Sequence, residues 1–118
     1  MSQASDYLEN KLLDHVLRNT AYTSPTTVYV GLFLNTSGNA LTNLEAGTLT
    51  DEVPNSNSYA RVAATFSAAS SGSITTSGNI TFAAANGGDF GTITHIAILD
   101  GNTHGSGNVL FYGALTTS

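Results

Sequence analysis

The hydrophobic period changes once along this chain, around Pro25, and that change divides what the sequence can build. Before it, Leu8, Leu12, Leu13, Val16 and Leu17 recur at i, i+4, i+5, i+8 and i+9, one stripe of a 3.6-residue repeat. The spacing predicts a helix over about 5–18. Ser5 stands where an N-cap belongs, Asp6 and Glu9 lie near the positive end of the helix dipole, and Arg18 lies near the negative end. Asp14 and Arg18 are placed to pair at i,i+4, Asn19 suits the C-cap, and Pro25 blocks easy continuation. A leucine stripe of this kind has to be laid on something, either the chain's own sheet or a neighbouring subunit.

From Thr26 onward the period is two. "TTVYVGLFL" (26–34) sends Val28, Val30, Leu32 and Leu34 one way and Tyr29 and Phe33 the other, the pattern of a strand covered on both faces. "YARVAATFSA" (59–68), "SITTSGNITFAA" (73–84), "TITHIAIL" (92–99) and "VLFYGAL" (109–115) read as further strands, with Gly78 marking a bulge or a break. The segments between them are rich in Gly, Ser and Asn. Short strands with frequent turns predict a mainly β fold, an antiparallel β-sandwich of jelly-roll type with one N-terminal α-helix. At 118 residues the chain is one domain, 1–118.

Residues 35–58 break the rhythm. Connections in compact domains mostly run to about 4–6 residues, and much longer ones are usually functional or disordered. Two readings of this stretch stand side by side: an extended arm or binding loop, or a loop carrying one small strand near Thr48–Val53. It holds Leu41, Leu44 and Leu49 with the acids Glu45, Asp51 and Glu52.

Charge narrows the function classes. Only 9% of the residues are charged, the net charge is −5, and the basic side chains are Lys11, Arg18 and Arg61. Three scattered cations cannot form the basic face that phosphate binding demands, so nucleic acid is excluded as a partner. No apolar run approaches a membrane span, and "MSQASDYLENKLLDHVL" lacks the basic-then-apolar order of a signal peptide. The expectation is a soluble chain that is not exported by its own address. A surface of Ser, Thr, Asn and Gly repels copies of itself less than a charged one, which suits dense packing.

The strongest candidates for chemistry are His95, Asp100 and His104. Their spacing matches no ligand pattern for a metal, and "DG" at 100–101 with the glycines that follow fits a hairpin turn. The expected reading is therefore a hairpin, with His95 satisfied in a core or an interface. No G-x-S-x-G elbow stands between strand and helix, "NGGDFG" lacks the Lys-Ser/Thr of a phosphate loop, and the acids at 45, 51 and 52 lack EF-hand spacing. Neither a cofactor nor a metal nor an enzymatic role is expected. Arg61, beside Tyr59 in "SYAR", stands apart: a guanidinium can bridge two oxygens at once, which Lys cannot. It is expected to fix the long loop or a neighbouring subunit through Glu45, Asp51 or Glu52.

"LENKLLDHVLRNTAYTSPTTVYVGLF", "SYARVAATFSAAS", "FGTITHIAILD" and "LFYGALTTS", in that order, resemble a family of small virion structural proteins of tailed bacteriophages. These are often labelled tail-fibre-like and are carried by cyanophages and other environmental phages. The likeness spans nearly the whole chain outside 35–57. It implies a virion component made in the host cytoplasm. Family members tend to continue past "GALTTS" with further strand, and a strand missing there would leave a sheet edge for a neighbouring chain to cover. The leading expectation is a capsid decoration or cement protein that bridges major capsid proteins, as a homo-oligomer with a trimer favoured. The alternative is a tail or tail-fibre component, an adaptor or a receptor-binding tip that contacts tail proteins. Leu8, Leu12 and Val16 of the helix, Leu44, Glu45, Asp51 and Glu52 of the long loop, and Arg61 are the expected contact residues.

Overall fold

A computed structural model describes residues 2–115. Strands β1 (Ser2–Ala4), β2 (Val28–Phe33), β3 (Val62–Ala64), β4 (His95–Leu99) and β5 (Val109–Ala114) form one sheet in the order β1-β5-β4-β2-β3. Every neighbouring pair is antiparallel. Two helices accompany it, α1 (Asp6–Leu17) and α2 (Ala40–Ala46). A second sheet facing the first, which a sandwich requires, is not formed among the described residues.

The strand register explains both faces of the sheet. Tyr29, Gly31 and Phe33 of β2 pair with Leu99, Ala97 and His95 of β4, and Ala97 pairs with Tyr112 of β5, so these side chains share one face. Phe33, Leu44, Ala97, Leu99, Val109 and Tyr112 form the core there. The helix that closes this face is α2, which brings Leu44 down as a fully buried plug. The stretch 35–58 is thus folded against the sheet. It carries a helix where the sequence offered an open arm or a small strand, and its one strand-like contact is a bridge from Glu52 to Phe33. The short apolar spacing of Ala40 and Leu44, only one helical turn, gave too little pattern to predict it.

Helix α1 starts as its sequence dictates. Ser5 caps it by accepting from the Leu8 amide at 3.3 Å, and its hydroxyl also donates to the Val109 carbonyl, tying the helix to β5. The C-cap is Arg18, and Asn19 takes the left-handed position that follows (φ 55°). Arg18 meets Asp14 at 3.2 Å. Of the apolar stripe only Leu8 is buried; Leu12, Leu13, Val16 and Leu17 are 44%, 55%, 70% and 75% exposed.

The segments 59–68 and 73–84 yield far less sheet than their alternation promised. Only Val62–Ala64 pairs with β2. Beyond it the chain turns back on itself: Phe66 bridges Thr76 and Ser70 bridges Ser73 around Ser71 and Gly72, both at positive φ. Two consecutive residues of that kind make the tight turn that suits a hairpin's twist. The hairpin's last backbone bond is Ser77 to Thr65, next to the break expected at Gly78. Past it, Phe82 stacks on Tyr59 at 6.3 Å, so its apolar ring covers a loop cluster and founds no second layer.

Candidate assembly site

A dense polar cluster gathers at one end of the sheet, around Glu52. Its Oε1 accepts from Arg61 Nη2 at 2.7 Å and from the Gly105 amide at 3.0 Å. Its Oε2 accepts from the Tyr59 hydroxyl at 2.6 Å and from Arg61 Nε at 2.8 Å. Arg61 Nη1 continues to the carbonyls of Gly101 and Ser106 at 2.8 and 2.9 Å. The Tyr59 oxygen in turn accepts from the Leu32 amide at 3.1 Å. One guanidinium therefore joins three chain segments, the 52–61 connection, the 100–108 turn and, through Tyr59, strand β2. Gly31 makes the space: a Cβ there would lie 3.3 Å from Glu52 Oε2 and 2.9 Å from Leu99 Cδ1.

Electrostatics follow from this geometry. Burial pushes the Glu52 carboxyl up, but the bonds from Arg61, Tyr59 and Gly105 outweigh it and hold the group below the usual Glu range. Burial and the neighbouring Glu52 carboxylate drive the Tyr59 hydroxyl well above its ordinary value. Around this centre Tyr59 meets Phe90 edge-on at 5.7 Å and His104 edge-on at 6.1 Å. His104 Nε2 donates to the Val53 carbonyl at 2.7 Å.

The three groups singled out for chemistry end on separate partners. His104 holds Val53. Asp100 accepts from the amide and the Nδ2 of Asn108 at 2.7 and 2.9 Å, which closes the turn between β4 and β5. His95 is buried, with Nδ1 2.7 Å from the hydroxyl of its neighbour Thr94. Hairpin and turn account for all three.

Of the expected contact residues, the structure brings Glu52 and Arg61 together in the interior and buries Asp51, Leu44 and Leu8. Asp51 accepts from Thr36 Oγ1, the Ser37 amide and Ser37 Oγ at 2.9, 2.9 and 2.7 Å, closing the loop that leads into α2. Burial raises its carboxyl and these bonds, with one from Asn43, lower it further, so the net is a depressed acid. Glu45 is half-buried and receives the Tyr112 hydroxyl; Asp6 and Glu9 crowd it, the three carboxylates lying within 4.8 Å of one another. The bond from Tyr112 lowers Glu45, yet Asp6, burial and the charge on Glu9 together carry it above the usual value. Tyr112 itself is pushed up to about 12, by burial and then by Glu45. Leu12 and Val16 alone of the set lie open to solvent.

Sequence reasoning missed a second open surface. On the sheet face turned away from α2, Val28, Ile98 and Phe111 form the floor of a groove of about 310 Å³, and Phe66 and Ile74 of the hairpin form its wall beside Leu110. The signal was present: β2, β4 and β5 carry apolar residues at both parities of their alternation, so both faces of the sheet want cover.

The fold is a single sheet whose buried polar groups hold its own loops and which leaves two apolar patches open, one on α1 and one in the sheet groove. A family model described as podophage GP4 fiber I protein gp80 matches residues 3–118, and the chain belongs to this family of phage virion structural proteins. No curated protein matches the chain. Among the described residues no helix is long and apolar enough to cross a membrane.

Proposed function

We propose that the chain is a non-enzymatic structural subunit of a phage virion that acts by docking against other virion proteins. The observation that carries this reading is the contrast between its polar and apolar groups. Arg61, Glu52, Asp51, His104 and Asp100 are all engaged in holding loops, whereas Leu12, Leu13, Val16 and Leu17 stand exposed on one helix. Exposed apolar patches rimmed by polar groups mark interaction sites.

The family description names a fibre, and this supports a seat in the tail-fibre assembly. A second placement, decoration of the capsid shell by bridging major capsid proteins, draws support from the low charge of the surface, 9% charged residues in all. Copy number separates the two. Quantitative mass spectrometry of purified particles gives a handful of copies per particle for a fibre position and hundreds for a shell position. Absence of the chain from purified particles overturns the whole reading.

A further inference from the structure

Among the described residues seven large apolar side chains are exposed, and six of them fall in two places. Leu12, Leu13, Val16 and Leu17 form a convex stripe on α1. Ile74 and Phe111 belong to the concave groove on the far side of the sheet. We infer that the α1 stripe of one copy seats in the sheet groove of a second copy, giving a head-to-tail contact between identical chains.

Several observations fit a second copy as the occupant. The groove's lining, Val28, Phe66, Ile74, Ile98, Leu110 and Phe111, contains no polar side chain. A small-molecule site of this volume ordinarily places a few polar groups to orient its ligand, and an amphipathic helix needs none. The four stripe residues are uncharged, and Lys11, Asp14 and Arg18 follow the spacing of the opposite side of α1; Glu9, one turn before Leu12 and Leu13 on the same side, bounds the stripe with a carboxylate. Among the described residues neither surface covers the other, because α1 packs beside α2 and β5, whereas the groove lies across the sheet from α2.

Area points the same way. A compact chain of 12.1 kDa exposes about 6,000 Å², whereas this one exposes 7156 Å². The excess, about 1,100 Å², is on the scale of the roughly 800 Å² that one partner hides in a stable interface. Each copy offers one helix and one groove, so the contact is heterologous and propagates into a ring or a filament.

The inference extends the docking role proposed above by naming surface and partner, and its test is independent of the virion. Sedimentation of the purified full chain is expected to show concentration-dependent self-association. Val16→Lys and Ile74→Lys, both at exposed positions, are each expected to weaken it at least tenfold with unchanged melting temperature. Mixing the two variants is expected to restore a 1:1 dimer, because the intact groove of V16K receives the intact helix of I74K. Should either variant melt early, Val16→Ser and Ile74→Ser replace the pair. A wild-type chain that stays monomeric overturns the inference, as does a mixture that stays monomeric. Loss of association in V16K but not in I74K also overturns it, since that pattern belongs to symmetric helix pairing. A monomeric chain that is nonetheless present in purified particles removes only this inference; a self-associating chain absent from particles removes only the virion role.

Discussion

Arg61 and Glu52 meet at two points in the interior, Nη2 to Oε1 at 2.7 Å and Nε to Oε2 at 2.8 Å, with both side chains screened from solvent. Buried ion pairs are often replaceable by apolar residues at little cost. This one is not of that kind, because the Tyr59 hydroxyl, the Gly105 amide and the Gly101 and Ser106 carbonyls also end on it. Arg61→Ala is expected to lower stability by about 3–5 kcal/mol, since it strands a buried carboxylate. Arg61→Lys is expected to recover only a minor part, because an ammonium cannot span both oxygens and two carbonyls at once. Urea unfolding of the two variants beside wild type reads the difference.

The same carboxylate sets an acid limit. Glu52 and Asp51 are both held below their ordinary values of 4.5 and 3.8 in the folded chain. On lowering the pH the unfolded chain therefore takes up these protons first. The stabilisation is complete above the ordinary values and is lost as pH falls through the depressed folded ones. Thermal melts between pH 7 and pH 2 are expected to hold nearly level down to about 5, near the top of the ordinary Glu range, and then fall. Glu52→Gln is expected to start lower at pH 7 and to descend less steeply. A wild-type profile that stays flat to pH 3 contradicts this account.

How far the sequence foretold this arrangement depends on the range of the interactions involved. Helix α1, its Ser5 cap and its Asp14–Arg18 pair were readable because all of their parts lie within a few residues. So were β2, β4 and β5, whose alternation is long and apolar. Arg61 was legible as unusual, being one of three cations, and Glu52 was among its three named partners. Which of the three it would meet depended on α2 folding residues 35–58 back against the sheet, and that short helix leaves little periodic trace. Strand β1 is three residues long and was invisible. Among the described residues the expected second layer is not formed, for the opposite reason: Ile74, Ile80 and Phe82 alternate as a strand should, but the hairpin of 65–77 and the stacking of Phe82 on Tyr59 take those residues elsewhere. Alternation records which residues prefer burial, not which partner buries them.

Gly31 is the strand position on which the buried pair depends for room. Its φ is unremarkable for β2, so the constraint is space and not backbone freedom. A methyl group there would press on Leu99 at 2.9 Å, closer than real Cβ atoms come, and crowd Glu52 and Phe33 at 3.3 Å. All three neighbours are buried, so each has little room to shift. Gly31→Ala is expected to cost about 1–3 kcal/mol, the range of overpacked cores, despite the better strand propensity of Ala. Its signature is a lowered urea midpoint with an unchanged slope. Equal stability of the two chains would show that the Glu52 loop yields.

Glu45 gives the one substitution expected to stabilise. Its carboxyl is raised, against the pull of the Tyr112 hydroxyl, by Asp6, burial and Glu9. The sign is the reverse of Glu52: an acid with a raised folded value favours the folded state at low pH and loses that contribution as pH rises through the folded value. Asp6 and Glu9 sit in the first turn of α1, where the helix dipole rewards them, so the crowding is best relieved at Glu45. Glu45→Gln keeps an oxygen to accept from Tyr112 and removes the charge. It is expected to raise the melting temperature at pH 7 and to leave it unchanged at pH 3, where the wild-type carboxyl already carries its proton. An equal shift at both pH values would assign the gain to packing and not to charge.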